Sequence, residues 1–238
     1  MKKYNISNQM KGMYDNIVLN IPHSGSNGLP AGWENTDELT KSVNRWTDWH
    51  TDYIFTCQHP DVQAVIAQQS RFVLDVERLL DDPLESIGQG IIYTQFNGNK
   101  RTVSPEEHEH LMQQYNLHIE KLRSKINEHT LLIDCHSFPS DMEDVDICIG
   151  FNEDWSKPPV SLINFVQDYF EGNGLSVGIN SPFSNSISPE TQFTYHSFMI
   201  ELNKRIYLNE SDCTCNENAD RIKEIINHLY SLILNGNI

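Results

Sequence analysis

Leu131-Leu132-Ile133-Asp134-Cys135-His136-Ser137 is an apolar run that ends in a histidine, and Ile17-Val18-Leu19-Asn20-Ile21-Pro22-His23-Ser24-Gly25 ends the same way. Near-continuous apolar runs of this kind are expected of strands whose sheet is covered by helices on both faces. Further short β-rich runs fall at 64–67, 72–76, 90–94, 146–150, 176–179 and 197–202, and together with 16–22 and 130–134 they alternate with helical text. The clearest helix opens at Ser104-Pro105-Glu106-Glu107. Ser104 caps it, Pro105 takes the first helical position and Glu107 completes a capping box. Leu111, Tyr115, Ile119, Leu122 and Ile126 then recur at spacings of three and four, which makes one buried stripe. A last helix over about 217–234 repeats the pattern with Ile222, Ile226, Leu229 and Ile233, and a shorter one covers about 160–170. Strands alternating with helices predict an α/β fold with a mixed, mostly parallel central sheet flanked by helices. Ligands of such folds bind at the carboxyl ends of the strands, so the residues that follow each strand carry the chemistry.

The 238 residues suit one domain spanning 1–238, because a single core can serve up to roughly 250 residues. No repeat or linker divides the chain. Seventeen Lys and Arg stand against 33 Asp and Glu, a formal net charge of −16. That excess argues against nucleic acid, whose phosphates need clustered positive charge, and against an anionic membrane surface. No apolar run approaches the ~20 residues that span a bilayer. Met1-Lys2-Lys3-Tyr4-Asn5 lacks the apolar segment of a signal peptide. Cys57, Cys135, Cys148, Cys213 and Cys215 are odd in number and scattered, which favours a reducing cytoplasm over a disulfide framework. Cys213-Thr214-Cys215 has no second Cys/His pair at zinc-finger spacing and reads as a polar loop. The expected partner is a small molecule, and the expected state a monomer or homodimer.

Four segments put reactive groups at strand ends: the two quoted above, Thr47-Asp48-Trp49-His50-Thr51-Asp52, and His196-Ser197-Phe198-Met199-Ile200-Glu201-Leu202. A lone strand-end histidine is more often a hydrogen-bonded loop residue than a ligand. Two of them, His23 and His136, converge on one edge of a parallel sheet. With Asp48 they make the His/His/carboxylate composition of a catalytic site for one zinc ion, with a position open for water. Glu201 is an acid inside an apolar strand, costly to bury unless it has a partner or a task, and is read as the catalytic base. His50 and His196 are weaker candidates for contact with substrate. His108, His110, His118, His129 and His228 sit on or beside helices and read as surface or packing residues. Arg71 and Arg78 bracket the expected strand 72–76. In so acidic a chain they suit anion recognition better than surface ion pairs, since Arg binds carboxylates in a bidentate way. Two other classes stay open: a non-catalytic binding protein on the same scaffold, and a metallophosphoesterase. The latter would also use Asp134-x-His136 but needs a Gly-Asn-His-type block that the chain lacks.

Taken in order, Ile21-Pro22-His23-Ser24-Gly25, Thr47-Asp48-Trp49-His50, Ser70-Arg71-Phe72-Val73-Leu74-Asp75, Asp134-Cys135-His136-Ser137 and the Glu201 segment with Asn203, Arg205 and Tyr207 resemble the N-formylglutamate amidohydrolase family. The blocks run from about residue 17 to 208. The resemblance implies a zinc-carboxypeptidase-like, phosphorylase/hydrolase-like fold and hydrolysis of a carboxylate-bearing N-acyl amino acid. For the family's namesake the products are formate and glutamate, in histidine degradation. A more distant likeness to aspartoacylases implies that Arg71 polarises the scissile carbonyl and Arg78 clamps the substrate carboxylate; Ser137, beside His136, is a further candidate for contact with substrate. The chain departs from the family at Glu77, where Asn is usual, and in the Ser-rich stretch 182–192. Both departures concern the side chain of the substrate and leave the metal and base residues untouched.

Overall fold

The computed structural model describes residues 12–34 and 36–236. Six strands form the main sheet: β1 (Asn16–Ile21), β2 (Val62–Ile66), β5 (Thr130–Phe138), β6 (Ile147–Gly150), β7 (Val177–Ile179) and β8 (His196–Asn203). The short strands β3 (Gln95–Phe96) and β4 (Asn99–Lys100) make one hairpin, and β9 (Leu208–Asn209) and β10 (Thr214–Cys215) make another. The helices are α1 (Asp37–Trp46), α2 (Thr51–Phe55), α3 (Pro105–Arg123), α4 (Val160–Gly172) and α5 (Ala219–Leu234). The sheet order is β2-β1-β5-β8-β6-β7, with every neighbouring pair parallel except β6 and β8. The mixed, mostly parallel α/β architecture expected from the sequence is the one observed.

Side-chain alternation explains why the central strands read as unbroken apolar runs. Ile17, Leu19 and Ile21 of β1, Leu131, Ile133 and Cys135 of β5, and Phe198, Ile200 and Leu202 of β8 all enter one core, with residues of α2, α4 and α5. On the opposite face Val18 and Leu132 pack with Leu122 and Ile126 at the end of α3. Leu131 and Ile133 are fully buried, and each contributes about 1.5–3 kcal/mol of hydrophobic stabilisation. Further along that second face the apolar pattern gives way to Asn20, Asp134, His136 and Glu201, at the carboxyl ends of the strands.

α3 begins where its capping signal puts it, with Ser104 Oγ accepting the Glu107 N–H at 3.2 Å. The Glu107 carboxylate is engaged by Arg101 at 2.6 Å. Two helices fall outside the sequence reading. α1 carries a short stripe, Leu39, Val43 and Trp46 at spacings of four and three, that the sequence reading missed, and α2 is five residues long. The expected strands at 72–76 and 90–94 are not strands. Val73 and Leu74 turn their N–H groups back to Ser70 O, and Arg78 N–H to Asp75 O, so the segment closes on itself instead of extending a ladder. Arg71 and Arg78 therefore flank a turn. Arg101 clips that turn from behind, donating to Tyr93 O at 2.7 Å and Val73 O at 3.3 Å, while Tyr115 of α3 donates to Arg78 O at 2.9 Å. Among the described residues no helix is long and apolar enough to cross a membrane.

Candidate active site

Register places the site. Asn20 of β1 stands directly opposite Asp134 of β5, and His136 of β5 directly opposite Glu201 of β8. His23 follows β1 by two residues, where Pro22 has ended the ladder. The loop beyond it runs so close to residues 67–69 that a Cβ on Gly25 would meet Gln69 O at 2.4 Å. Only glycine is accommodated there. Asp48 arrives from the end of α1. Its N–H donates to His23 O at 3.0 Å, and its own carbonyl accepts from the Thr51 hydroxyl at 2.8 Å.

The imidazoles of His23 and His136 lie 5.0 Å apart between ring centres, both almost fully buried. Asp48 Oδ2 faces the Nδ1 of each, at 3.7 Å from His23 and 3.2 Å from His136. Glu77 faces the other nitrogens, with Oε1 3.1 Å from His136 Nε2 and Oε2 3.5 Å from His23 Nε2. His23, Glu77 and His136 offer metal-ligand atoms within 4.8 Å of one another. Two fully buried carboxylates stand behind the rings: Asp75 Oδ1 at 2.8 Å from His23 Nε2, and Asp134 Oδ1 at 3.1 Å from His136 Nε2. Asp75 also takes an Arg71 N–H at 2.9 Å and lies 3.5 Å from Arg78 Nε. One buried anion thus fixes a histidine and two guanidiniums.

The charges follow from this packing. Burial alone would raise the Asp48 carboxyl, but the hydrogen bonds from His136 and His23 hold it well below the usual range. Burial pushes the His136 imidazole down, yet Glu77 and Asp134 outweigh that and hold it well above its ordinary value. His23 is shifted up in the same way: burial and Arg71 push down, and Asp75 and Asp48 prevail. Glu201 behaves oppositely. Burial, opposed by His136 and reinforced by Asp48 and Glu77, lifts its carboxyl to about 8. No described cation lies within ion-pair distance of it, and Glu201 Oε2 has no hydrogen-bond partner. A carboxyl so placed is suited to exchanging a proton near neutral pH.

His23, Asp48, Arg71, Glu77, Arg78, His136, Ser137 and Glu201 all line one cavity of about 1010 Å³. Trp46, Phe72, Tyr93 and Phe96 contribute aromatic lining, and the Ser-rich stretch 184–190 contributes polar lining. Two sequence candidates are not brought to the cavity. His50 caps α2 and bonds to Cys213 O at 2.8 Å, and His196 bonds to Tyr14 Oη at 2.8 Å. Both rings were read from their place beside a motif, which does not give the direction of a side chain. The sequence reading also gave no role to Asp75, named Asp134 only for the phosphoesterase alternative, and missed the part Glu77 takes in the cluster. For Asp75 and Asp134 a signal was present: each is an acid two residues from a functional group within an apolar stretch.

The fold and the cavity together define an α/β protein whose candidate site lies at the carboxyl ends of its strands. The sequence specifies the family: the family model of N-formylglutamate amidohydrolase matches residues 15–208, and the chain belongs to that family. Membership supports an amidohydrolase activity. Among solved structures, an N-formylglutamate amidohydrolase from Ralstonia eutropha superimposes with a TM-score of 0.73 at 18% identity, over 93% of this chain and 92% of that one. A gene product of Agrobacterium tumefaciens gives a TM-score of 0.59 at 14% identity, over 94% of each chain. At such identities the likeness is one of fold. No curated protein matches the sequence.

Glu201 generates a prediction that needs no ligand. The unfolded chain releases this proton near 4.5, whereas the folded chain keeps it up to about 8. Between those values the native state binds more protons, so this group lowers stability as pH rises. In urea melts of the metal-free protein, Glu201→Gln should gain on the wild type steadily from about pH 5 to pH 8. A difference that stays flat over that window would mean that Glu201 is ionised in the fold.

Proposed function

We propose that the chain is a zinc-dependent amidohydrolase that cleaves N-acyl amino acids, N-formyl amino acids foremost, to the free amino acid and a carboxylate. The observation that carries this reading is Asp48: a buried carboxylate whose only ion-pair partners among the described residues are the imidazoles of His23 and His136. A buried charge is costly without a strong partner, and a divalent cation is the partner such a set of donors suits. His23, His136 and Asp48 would hold the ion. The His23 Nδ1 supports this, since it is buried with no hydrogen-bond partner while Nε2 is engaged by Asp75. Glu77 would stand beside the ion from the cavity wall, where its side chain is 29% exposed and has less need of a partner. When bound, such an ion lowers the pKa of a water to about 7 and polarises a carbonyl.

The chain's own residues supply the remainder. Arg71, held rigid by Asp75, presents its free N–H groups to the cavity, where they stabilise the oxyanion of the tetrahedral intermediate. Donors of this kind are worth roughly 3–4 kcal/mol. Arg78 holds the carboxylate of the substrate. Glu201 takes the proton of the attacking water and passes it to the departing amine.

Metal analysis by mass spectrometry, together with turnover of N-formyl and N-acetyl amino acids, tests the reading. Wild-type protein should retain one zinc per chain and lose activity on chelation. His23→Ala and His136→Ala should abolish both zinc retention and turnover, and Asp48→Ala should weaken binding by a smaller factor because two imidazoles remain. Full zinc occupancy in His136→Ala would overturn the site as drawn. A wild-type protein with neither zinc nor turnover would be a binding protein.

The arginines should separate kinetically. A clamp holds ground and transition states alike, whereas an oxyanion donor acts mainly in the transition state. Arg78→Ala should chiefly raise KM for substrates with a free carboxylate, and Arg71→Ala should lower kcat by about 10²–10³. Equal losses of kcat alone in both variants would contradict this division.

A further inference from the structure

With Arg71 and Arg78 assigned to the oxyanion and the substrate carboxylate, the rest of the lining decides which side chain a substrate can carry. Apart from the two histidines, the described cations that line the cavity are Arg71, Arg78 and Arg123, against Asp48, Glu77, Asp82, Asp154, Glu190 and Glu201. Arg71 is bound to Asp75 at 2.9 Å, and Arg78 stands 3.5 Å from both Asp75 and Asp82. Arg123 is 41% exposed and paired with Glu120 at 2.7 Å. The Ser-rich lining brings no cation, and its Ser186 hydroxyl is already engaged by Ser197 at 2.7 Å. A second carboxylate on the substrate therefore has no cation left to meet.

The aromatic lining is what remains uncommitted. Phe72 follows Arg71 directly in the chain, and Tyr93 stands within electrostatic reach of both Arg71 and Arg78. Phe96 completes the set, its ring centre 4.8 Å from that of Phe72 and 6.1 Å from that of Tyr93. Phe72 and Tyr93 are buried, and Phe96 is half-buried. A carboxylate side chain placed against these rings would lose its water without gaining a partner, which is costly. An ammonium side chain would find the nearby acids taken or exposed. Asp82 faces Arg78, Asp154 Oδ1 accepts the Ser156 N–H and hydroxyl at 2.8 and 2.7 Å, and Glu190 is exposed. An apolar side chain pays neither cost, and an aromatic one adds offset or edge-to-face ring contacts.

We propose that the substrate of this site carries an apolar side chain, aromatic or branched aliphatic, that lies against Phe72, Tyr93 and Phe96. The substrate is then an N-acylated phenylalanine or leucine in preference to an N-acylglutamate. The choice of substrate rests on the hydrolase reading above, and the apolar subsite does not.

Calorimetric titration of the protein as purified tests the subsite with hydrocinnamate, glutarate and aminocaproate. These carry the carboxylate and the side chain of phenylalanine, glutamate and lysine but have no amide to cleave. Hydrocinnamate should bind about tenfold or more tightly than either of the others. In turnover, N-formylphenylalanine and N-formylleucine should exceed N-formylglutamate and Nα-formyllysine in kcat/KM by a similar factor. Phe96→Ala, its fold checked by circular dichroism, should bring both preferences down toward unity; the wild-type comparison decides if that variant does not fold. Equal or tighter binding of glutarate or aminocaproate, or no binding of any of the three, would overturn the subsite, as would an unchanged preference in folded Phe96→Ala. Should hydrocinnamate bind as stated while no N-formyl amino acid is turned over, the hydrolase reading falls and the subsite stands. Turnover fastest with N-formylglutamate would keep the hydrolase and overturn the proposed preference.

Discussion

Strand β5 is hydrogen-bonded along one edge to β1 and along the other to β8, and its register with both determines where each polar group of the site can stand. A slip of β5 by one residue would turn Asp134 and His136 into the apolar core and bring Ile133 and Cys135 out toward the cavity. The buried apolar face makes that slip prohibitive. Packing by Leu131, Ile133, Phe198 and Leu202 on one side of the sheet thus positions the charges on the other. The same pairing sets Asn20 against Asp134 and His136 against Glu201, so the strand ladder itself aligns the polar residues behind the histidines.

What the sheet positions, buried anions hold. Asp75 gathers His23, Arg71 and Arg78 in one turn, and Asp134 stands behind His136. Each would be costly to bury alone and is compensated by partners that belong to the site. Glu201 is the exception: His136 and His23 offset its burial only in part and no described cation lies within ion-pair distance, which leaves its proton easily exchanged. The contrast between acids held firmly ionised and one that exchanges its proton near neutral pH divides the labour between scaffold and chemistry.

How far the sequence disclosed this depends on what each residue reports. β1, β5 and β8 are legible because burial on both faces leaves an uninterrupted apolar run, and α3 because its cap and stripe agree. His23, Asp48, His136, Arg71, Arg78 and Glu201 are legible as strand-end or motif residues, and they do meet in one cavity. The segment 70–101 is not, because its β-branched and apolar residues pack a turn-rich wall whose N–H groups bond locally and whose carbonyls at Val73 and Tyr93 accept from Arg101. α1 does write a short period, Leu39, Val43 and Trp46 behind the Thr36 cap, which the reading missed. His118 is buried as a packing residue would be: helical spacing places it inward with Tyr115 and Leu122, but does not show its hydrogen bond to Asn20. Side-chain direction at loops, which decides His50 and His196, leaves no trace in spacing at all.

The account turns on Glu201 acting as base at a metal centre built by other residues. The most direct measurement is zinc content and turnover of an N-formyl amino acid on a single preparation of Glu201→Gln, beside the wild type. The glutamine keeps the shape of the side chain and removes its basicity, so zinc should remain stoichiometric while kcat falls by about two to four orders of magnitude. A variant that keeps its zinc and most of its activity would contradict the account.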